Sequence, residues 1–147
     1  MKIAIADKKH IKEVAEILFK EWYDSLKEAK EEAIKRINNK ECLIALENNK
    51  VVGILMYSRD YSHYANYCQD LFVVKEYRNK GIASLLLKKF IYISRKEQPR
   101  KQKYVLSSTD TKNIASIRLH KRVGFNKIGT VKYLHYGKDE VFFGYRL

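Results

Sequence analysis

The chain has 147 residues, 46% hydrophobic and 32% charged, which is the length and make-up of one globular domain over residues 1–147 and excludes a disordered chain. Two cysteines, Cys42 and Cys68, are too few for a disulfide framework or a four-thiolate zinc site, and they read as free thiols of a reducing, cytoplasmic protein. No apolar run approaches the roughly 20 residues of a membrane span, and no signal-like stretch opens the chain.

With 30 Lys+Arg against 17 Asp+Glu the net charge is +13. Such a field favours nucleic acid, a membrane surface or a phosphorylated cofactor without choosing among them. The densest basic stretch holds Lys88, Lys89, Arg95, Lys96, Arg100, Lys101 and Lys103. It reads equally well as a solvated helix face and loop.

In chain order, Lys2 to Ala6 alternate like a short strand, with Asp7 as a helix cap. Ile11, Val14, Ala15, Leu18 and Phe19 recur at helical spacing, and Trp22 and Tyr23 end that helix. A polar helix follows over Glu28 to Asn38, its inner face Ala33, Ile34 and Ile37. Cys42 to Glu47 and Val51 to Ser58 form strands joined by an Asn48-Asn49 hairpin, and Tyr67 to Val74 is the next strand. A long amphipathic helix then carries Ile82, Leu85, Leu86, Phe90 and Ile93 inward. Tyr104 to Ser108 is a strand, and Asn113 to Val123 a helix closed by Gly124. Phe125 to His135 and Glu140 to Leu147 are closing strands, turning at Gly137-Lys138. The order β-α-α-β-β-β-α-β-α-β-β is that of a mixed α/β (α+β) domain.

The segment Val73-Val74-Lys75-Glu76-Tyr77-Arg78-Asn79-Lys80-Gly81-Ile82-Ala83 joins a buried strand to the long helix. Such a junction aims free backbone N–H groups and the positive helix end at one point. Gly81 and Ala83 let an anion approach the main chain, and Arg78, Asn79 and Lys80 add charge and donors. A pyrophosphate suits this nest. No Gly-Lys-Ser/Thr follows, so it is not a nucleotide P-loop, and a dinucleotide fingerprint needs three glycines.

Asn113-Ile114-Ala115-Ser116-Ile117-Arg118-Leu119-His120-Lys121-Arg122-Val123-Gly124-Phe125 lies about one strand further on. Together the two segments resemble motifs A and B of the GNAT superfamily of acetyl-CoA-dependent N-acetyltransferases. The first matches that family's Gln/Arg-x-x-Gly-x-Gly/Ala turn, the second its Asn-containing helix that closes on Gly-Phe. The element order is also the family's. Asp70-Leu71-Phe72-Val73 before Tyr77-Arg78 looks like the spermidine/spermine branch, and Leu119-His120 like the phosphinothricin branch.

The resemblance implies a GNAT-like central mixed sheet flanked by helices, with acetyl-CoA as co-substrate and an amine as acceptor. It implies that the backbone of Val73 and Val74 pairs with the pantetheine arm beside a splayed strand end. Backbone N–H groups of Arg78 through Ala83 (Asn79, Lys80, Gly81 and Ile82 between them), with Ser84 beside them, would hold the pyrophosphate. Asn113 would bond the cofactor from the next helix start, though an ordinary N-cap explains an Asn there as well.

His120 takes the position of the family's tyrosine, the acid for the departing thiolate. Helical geometry turns it towards the sheet and away from Arg118 and Arg122, and a histidine near neutral pKa can donate a proton. A hydrogen-bonded core histidine is the alternative. The amine needs a base, because an ammonium has no lone pair. Asp70, an acid on an apolar strand, is the candidate, its pKa expected to be raised. The family's usual glutamate falls near Tyr67, where this chain has no acid.

In the family arrangement Tyr61, Tyr64 and Tyr67, with Trp22 and Tyr23, would ring the acceptor mouth. Asp24, Asp60 and Asp70 are the main acids expected there. The net positive field therefore disfavours polycations and points to an acidic small metabolite, an amino acid or a protein N-terminus. His10, His63, His120 and His135 have no ligand spacing, so no metal is expected. A basic nucleic-acid module would explain the charge but leaves both motifs unexplained, and no helix-turn-helix, zinc or RNP pattern is present. A GNAT-like protein that binds CoA without catalysis, and a homodimer, stay open on sequence.

Overall fold

The computed structural model describes residues 1–62, 65–97 and 103–147. His63, Tyr64, Arg100 and Lys101, and the side chain of Asp60, lie outside the described residues. The strands are β1 (Lys2–Ile5), β2 (Cys42–Glu47), β3 (Lys50–Ser62), β4 (Ala65–Val73), β5 (Tyr104–Asp110), β6 (Asn126–His135) and β7 (Lys138–Arg146). The helices are α1 (Ile11–Glu21), α2 (Leu26–Asn38), α3 (Ile82–Glu97) and α4 (Ile114–Val123). One sheet runs β1-β2-β3-β4-β5-β7-β6, and its β4–β5 pair is parallel while the rest are antiparallel.

Strand alternation splits the core into two layers. Cys42, Ile44, Ile54 and Met56 face α1 and α2, meeting Val14, Ala15, Leu18, Ala29, Ala33 and Ile37. Leu43, Leu55, Tyr57, Cys68, Val105 and Phe143 face the other way and meet Ile82, Leu86, Leu87, Phe90 and Phe125 on the α3 and α4 side. Cys42 and Cys68 are therefore buried free thiols in opposite layers, and burial pushes both up to about 12.

Turn chemistry follows the sequence. Asn48 and Asn49 take φ of 48° and 62°, the double positive φ of a tight hairpin. Gly124 takes φ 108° as the left-handed stop of α4. The last hairpin turns one residue earlier than expected, at Tyr136 (φ 50°) and Gly137 (φ 79°).

Other departures have physical reasons. Ser25 caps α2 by accepting the Glu28 N–H, so that helix starts at Leu26. Its buried face is Ala29, Ala33, Arg36 and Ile37, leaving Ile34 at the rim. Arg36 is tolerated inside because its Nε donates to Glu32 and its Nη1 to Glu41, the Tyr57 carbonyl and Ser58. Phe19 and Leu85, expected inside, are exposed. The tyrosine-rich stretch expected between strands continues β3 and β4 as a ribbon, down to the Ser62–Ala65 pair. Aromatic side chains favour that pleated surface, and Tyr61 stacks on Tyr67 with centroids 4.6 Å apart.

Two irregularities matter for the site. In β4 the partners shift between Met56–Asp70 and Tyr57–Cys68, which leaves Gln69 as a bulge. Parallel pairing of β4 with β5 stops at once, its last partners being Cys68 and Ser107. Beyond them the two strands part, although β4 continues to Val73 and β5 to Asp110.

Candidate active site

The gap between the parted strands opens into a cleft of about 830 Å³ that passes from the α3–α4 layer to the α1–α2 face. At its α3 end, Arg78 is extended, Asn79 has φ 62° and Gly81 has φ 79°. The first i→i+4 bond of α3 runs from Leu85 N–H to the Gly81 carbonyl, so the amides just before it point outward unbonded. A Cβ on Gly81 would meet nothing within 4 Å. Glycine is thus needed there for its backbone conformation, and the space above it is open for an anion. This donor set fits a pyrophosphate. Arg122, on α4, borders the same end and reaches Ser84 Oγ at 3.5 Å.

The strand edge differs from expectation by one residue. Val74 turns to β3, its N–H donating to the Val52 carbonyl at 2.9 Å. By alternation Leu71 and Val73 present their amides and carbonyls to the gap. The Val73 carbonyl is met by Arg78 Nε at 2.8 Å, and that guanidinium lies over Phe72. Arg78 therefore braces the strand edge. Leu71 replaces Val74 as an edge group.

On the acceptor face, Asp70 stands in the Phe72 register, beside Tyr23. Burial raises its carboxyl to about 6, partly offset by Arg36 and reinforced by Glu32. Burial, then Glu32 and Asp70, raise Tyr23 as well.

His120 is 2% exposed and faces the sheet as the helical geometry implies. It stacks on Phe143 with centroids 4.7 Å apart and meets Phe125 edge-on. Its Nδ1 lies 2.8 Å from the Ser116 carbonyl, which only accepts, so Nδ1 carries the proton. Nε2, 2.7 Å from Ser107 Oγ, then accepts that hydroxyl. Burial lowers its pKa, with the Ser116 bond opposing. Burial thus favours the neutral imidazole at the expected proton donor, with both of its nitrogens engaged.

Trp22, Tyr23, Asp70, Val73, Arg78, Asn79, Gly81, Ile82, Ala83, Ser84, Asn113 and His120 border the cleft. Asn113 caps α4 by accepting the Ser116 N–H at 3.1 Å. Lys80 does not border it, standing over the Tyr77 ring. Tyr61 and Tyr67 do not either; Tyr67 is tied by its hydroxyl to Ser108 at 2.6 Å, and burial raises it to about 12. Tyr64 lies outside the described residues.

Sequence reasoning missed Arg122, Ser107, Ser108 and Glu140. The helical wheel dismissed Arg122 as outward, but its long side chain lets the head reach back along the helix. Glu140 belongs to the last hairpin, whose pairing beside β5 has no local signal. The mouth is also more acidic than expected, with Glu21, Asp110 and Glu140 beside Asp70.

The Acetyltransferase (GNAT) family model matches residues 11–125. No curated protein sequence matches the chain. Among solved structures, a ribosomal-protein-alanine N-acetyltransferase from Brucella melitensis superposes with TM-score 0.81 at 23% identity, covering 100% of both chains. An N-acetyltransferase from Staphylococcus aureus Mu50 gives 0.82 at 22%, covering 99% of this chain and 97% of its own. The yncA protein of Salmonella typhimurium, solved with its cofactor acetyl-CoA, gives 0.82 at 21%, covering 99% and 93%. The parted strands, the amide nest at α3 and the match over most of its length agree: the chain belongs to the GNAT family of acetyltransferases, enzymes whose acetyl donor is acetyl-CoA.

Proposed function

We propose that the cleft moves an acetyl group directly from acetyl-CoA to a primary amine, with donor and acceptor bound together. The observation that carries this reading is the opening between β4 and β5, which joins an anion nest on one face to a carboxylate of raised pKa on the other. When bound, acetyl-CoA supplies a thioester carbonyl that a free amine attacks as the thiolate leaves.

The chain's own residues do the rest. The unbonded amides of Gly81 to Ser84, with Arg122, hold the pyrophosphate. The edge amides of Leu71 and Val73 align the pantetheine arm as an added strand would be aligned. Asp70 takes the proton from the acceptor ammonium; above about pH 6 it is ionised and ready to do so. Trp22 and Tyr23 wall the acceptor side. His120 is a positioning residue: it fixes the Ser107 hydroxyl at the last β4–β5 pair, where the strands part.

The test is release of free thiol from acetyl-CoA across a panel of small amines, amino acids and peptide amino termini. Turnover that depends on Asp70 supports the reading. CoA binding with no turnover on any amine sinks it and leaves a CoA-binding protein without catalysis.

A further inference from the structure

The acceptor side of the cleft holds a second carboxylate that this chemistry does not use. Glu140, on β7, is 7% exposed and borders the cleft. Its Oε1 accepts the Ser108 hydroxyl at 2.7 Å. That hydroxyl, its proton committed, accepts the Tyr67 phenol at 2.6 Å. Oε2 has no hydrogen-bond partner among the described residues. The His135 ring, half exposed, brings its Nδ1 to 3.8 Å from that oxygen. A carboxylate oxygen held this rigidly beside an open cleft, without a hydrogen bond, is unfavourable until a donor meets it.

Register fixes where that group sits. Val141 and Phe143 pack in the α3–α4 layer, so the neighbouring Glu140 turns to the opposite face, which it shares with Asp70. Strand β5 lies between β4 and β7, and β4 and β5 have parted at this level, so the two carboxylates are farther apart than two regular strand spacings, roughly 10 Å. One ammonium cannot meet both, whereas two cationic groups on one small molecule can. The remaining acids there are less available. Asp110 already faces Lys138 Nζ at 3.7 Å and accepts the Lys112 N–H, and Glu21 is exposed. Arg78 and Arg122 stand at the other end. The cleft is thus polarised against the +13 of the whole chain.

We propose that Glu140 binds a second cationic group of the acceptor, making the preferred acceptors dicationic. One amine reacts beside Asp70 while an ammonium or guanidinium is held by Glu140 Oε2. The inference rests on the acetyl-transfer reading of the same cleft. The second cation could belong to a small diamine or to a basic side chain beside a peptide amino terminus, and the experiment separates these sources.

The experiment is calorimetric binding to CoA-saturated protein, comparing cadaverine with pentylamine and an Ala-Lys peptide amide with its Ala-Ala counterpart. A charge-assisted bond to a buried carboxylate makes the dicationic member of one pair tighter by roughly tenfold or more. Preference within the first pair identifies a small diamine, and within the second a peptide end. Glu140→Gln, which keeps shape and removes charge, brings that ratio to within about twofold. Ser108→Ala, which frees the carboxylate without neutralising it, lowers the ratio partway. The rise in Tm with CoA checks fold and cofactor site in each protein. Equal binding within both pairs, absence of amine binding, or a preference that survives Glu140→Gln overturns the proposal while the transfer reading stands. Failure of CoA to bind wild type overturns both.

Discussion

Ser107 Oγ lies 2.7 Å from Nε2 of His120 and donates to it, because the other ring nitrogen already gives its proton to the Ser116 carbonyl. We propose that an imidazole so placed organises the β5 side of the cleft rather than acting as an acid. His120→Phe keeps the stacking on Phe143 and should lower kcat by less than about tenfold, well short of the ~10²-fold loss of a general acid. A loss of ~10²-fold, with the alkaline limb of the rate profile gone, would restore the acid role.

The same group makes a prediction for pH and stability. Burial holds the folded pKa of His120 below that of the unfolded chain, about 6.5. Between those values the unfolded state binds more protons, so stability rises with pH. The contribution is fully present above the unfolded pKa and is lost as pH falls through the folded one. Thermal melts at pH 5.5 and 7.5 should show acidification shifting the Tm of wild type less favourably than that of His120→Phe, the difference isolating His120.

Asp70 works with the opposite sign. Its folded pKa, about 6, lies above the ordinary value of 3.8. Its contribution is full below the unfolded value and is lost as pH rises through about 6. At pH 7.5 the ionised side chain therefore strains the fold. Asp70→Asn should raise stability by about 1 kcal/mol, discounted for partial exposure, while kcat falls by ~10²-fold or more. An active variant, or one with a lower Tm, would place the base elsewhere.

At the anion nest, Gly81→Ala and Gly81→Asp separate conformation from charge. The alanine methyl meets nothing within 4 Å but must take φ 79°. It should cost about 1 kcal/mol of stability and leave the CoA-induced rise in Tm. The aspartate should abolish that rise by placing an anion where the pyrophosphate binds. Retained CoA stabilisation in a folded Gly81→Asp protein would put the phosphates elsewhere.

Arg122, standing by Ser84 at 3.5 Å, should act through binding alone. Arg122→Ala is expected to raise KM for acetyl-CoA by roughly tenfold with kcat unchanged. A fall in kcat at saturating acetyl-CoA would contradict this.

What could be read from the sequence was what the chain writes locally. The Asn48-Asn49 turn, the Gly124 stop, the strand–glycine–helix junction at Gly81 and the inward side of α4 all follow from residue type and spacing over a few positions. What escaped depends on distant partners. Arg36 is buried because Glu41, Tyr57 and Ser58 come to it from other elements. Val74 is turned away from the cleft by Val52. Glu140 enters because β7 inserts beside β5. The tyrosine pairing also needs a distant partner: Tyr61 of β3 stacks on Tyr67 of β4 across the strands, and neither borders the cleft.

The cleft also depends on a miscount. Between the Met56–Asp70 and Tyr57–Cys68 partners, β3 spends no residue and β4 spends one, Gln69. The parallel ladder to β5 unzips beside that surplus residue. Since the partners on either side already lie in correct alternation, deleting Gln69 would turn no side chain to the wrong face. It would straighten β4 and let its end close against β5, giving a protein that melts higher and no longer takes up CoA. Here the capacity to bind is a ladder held one rung out of step, and regularity is what function has to forgo.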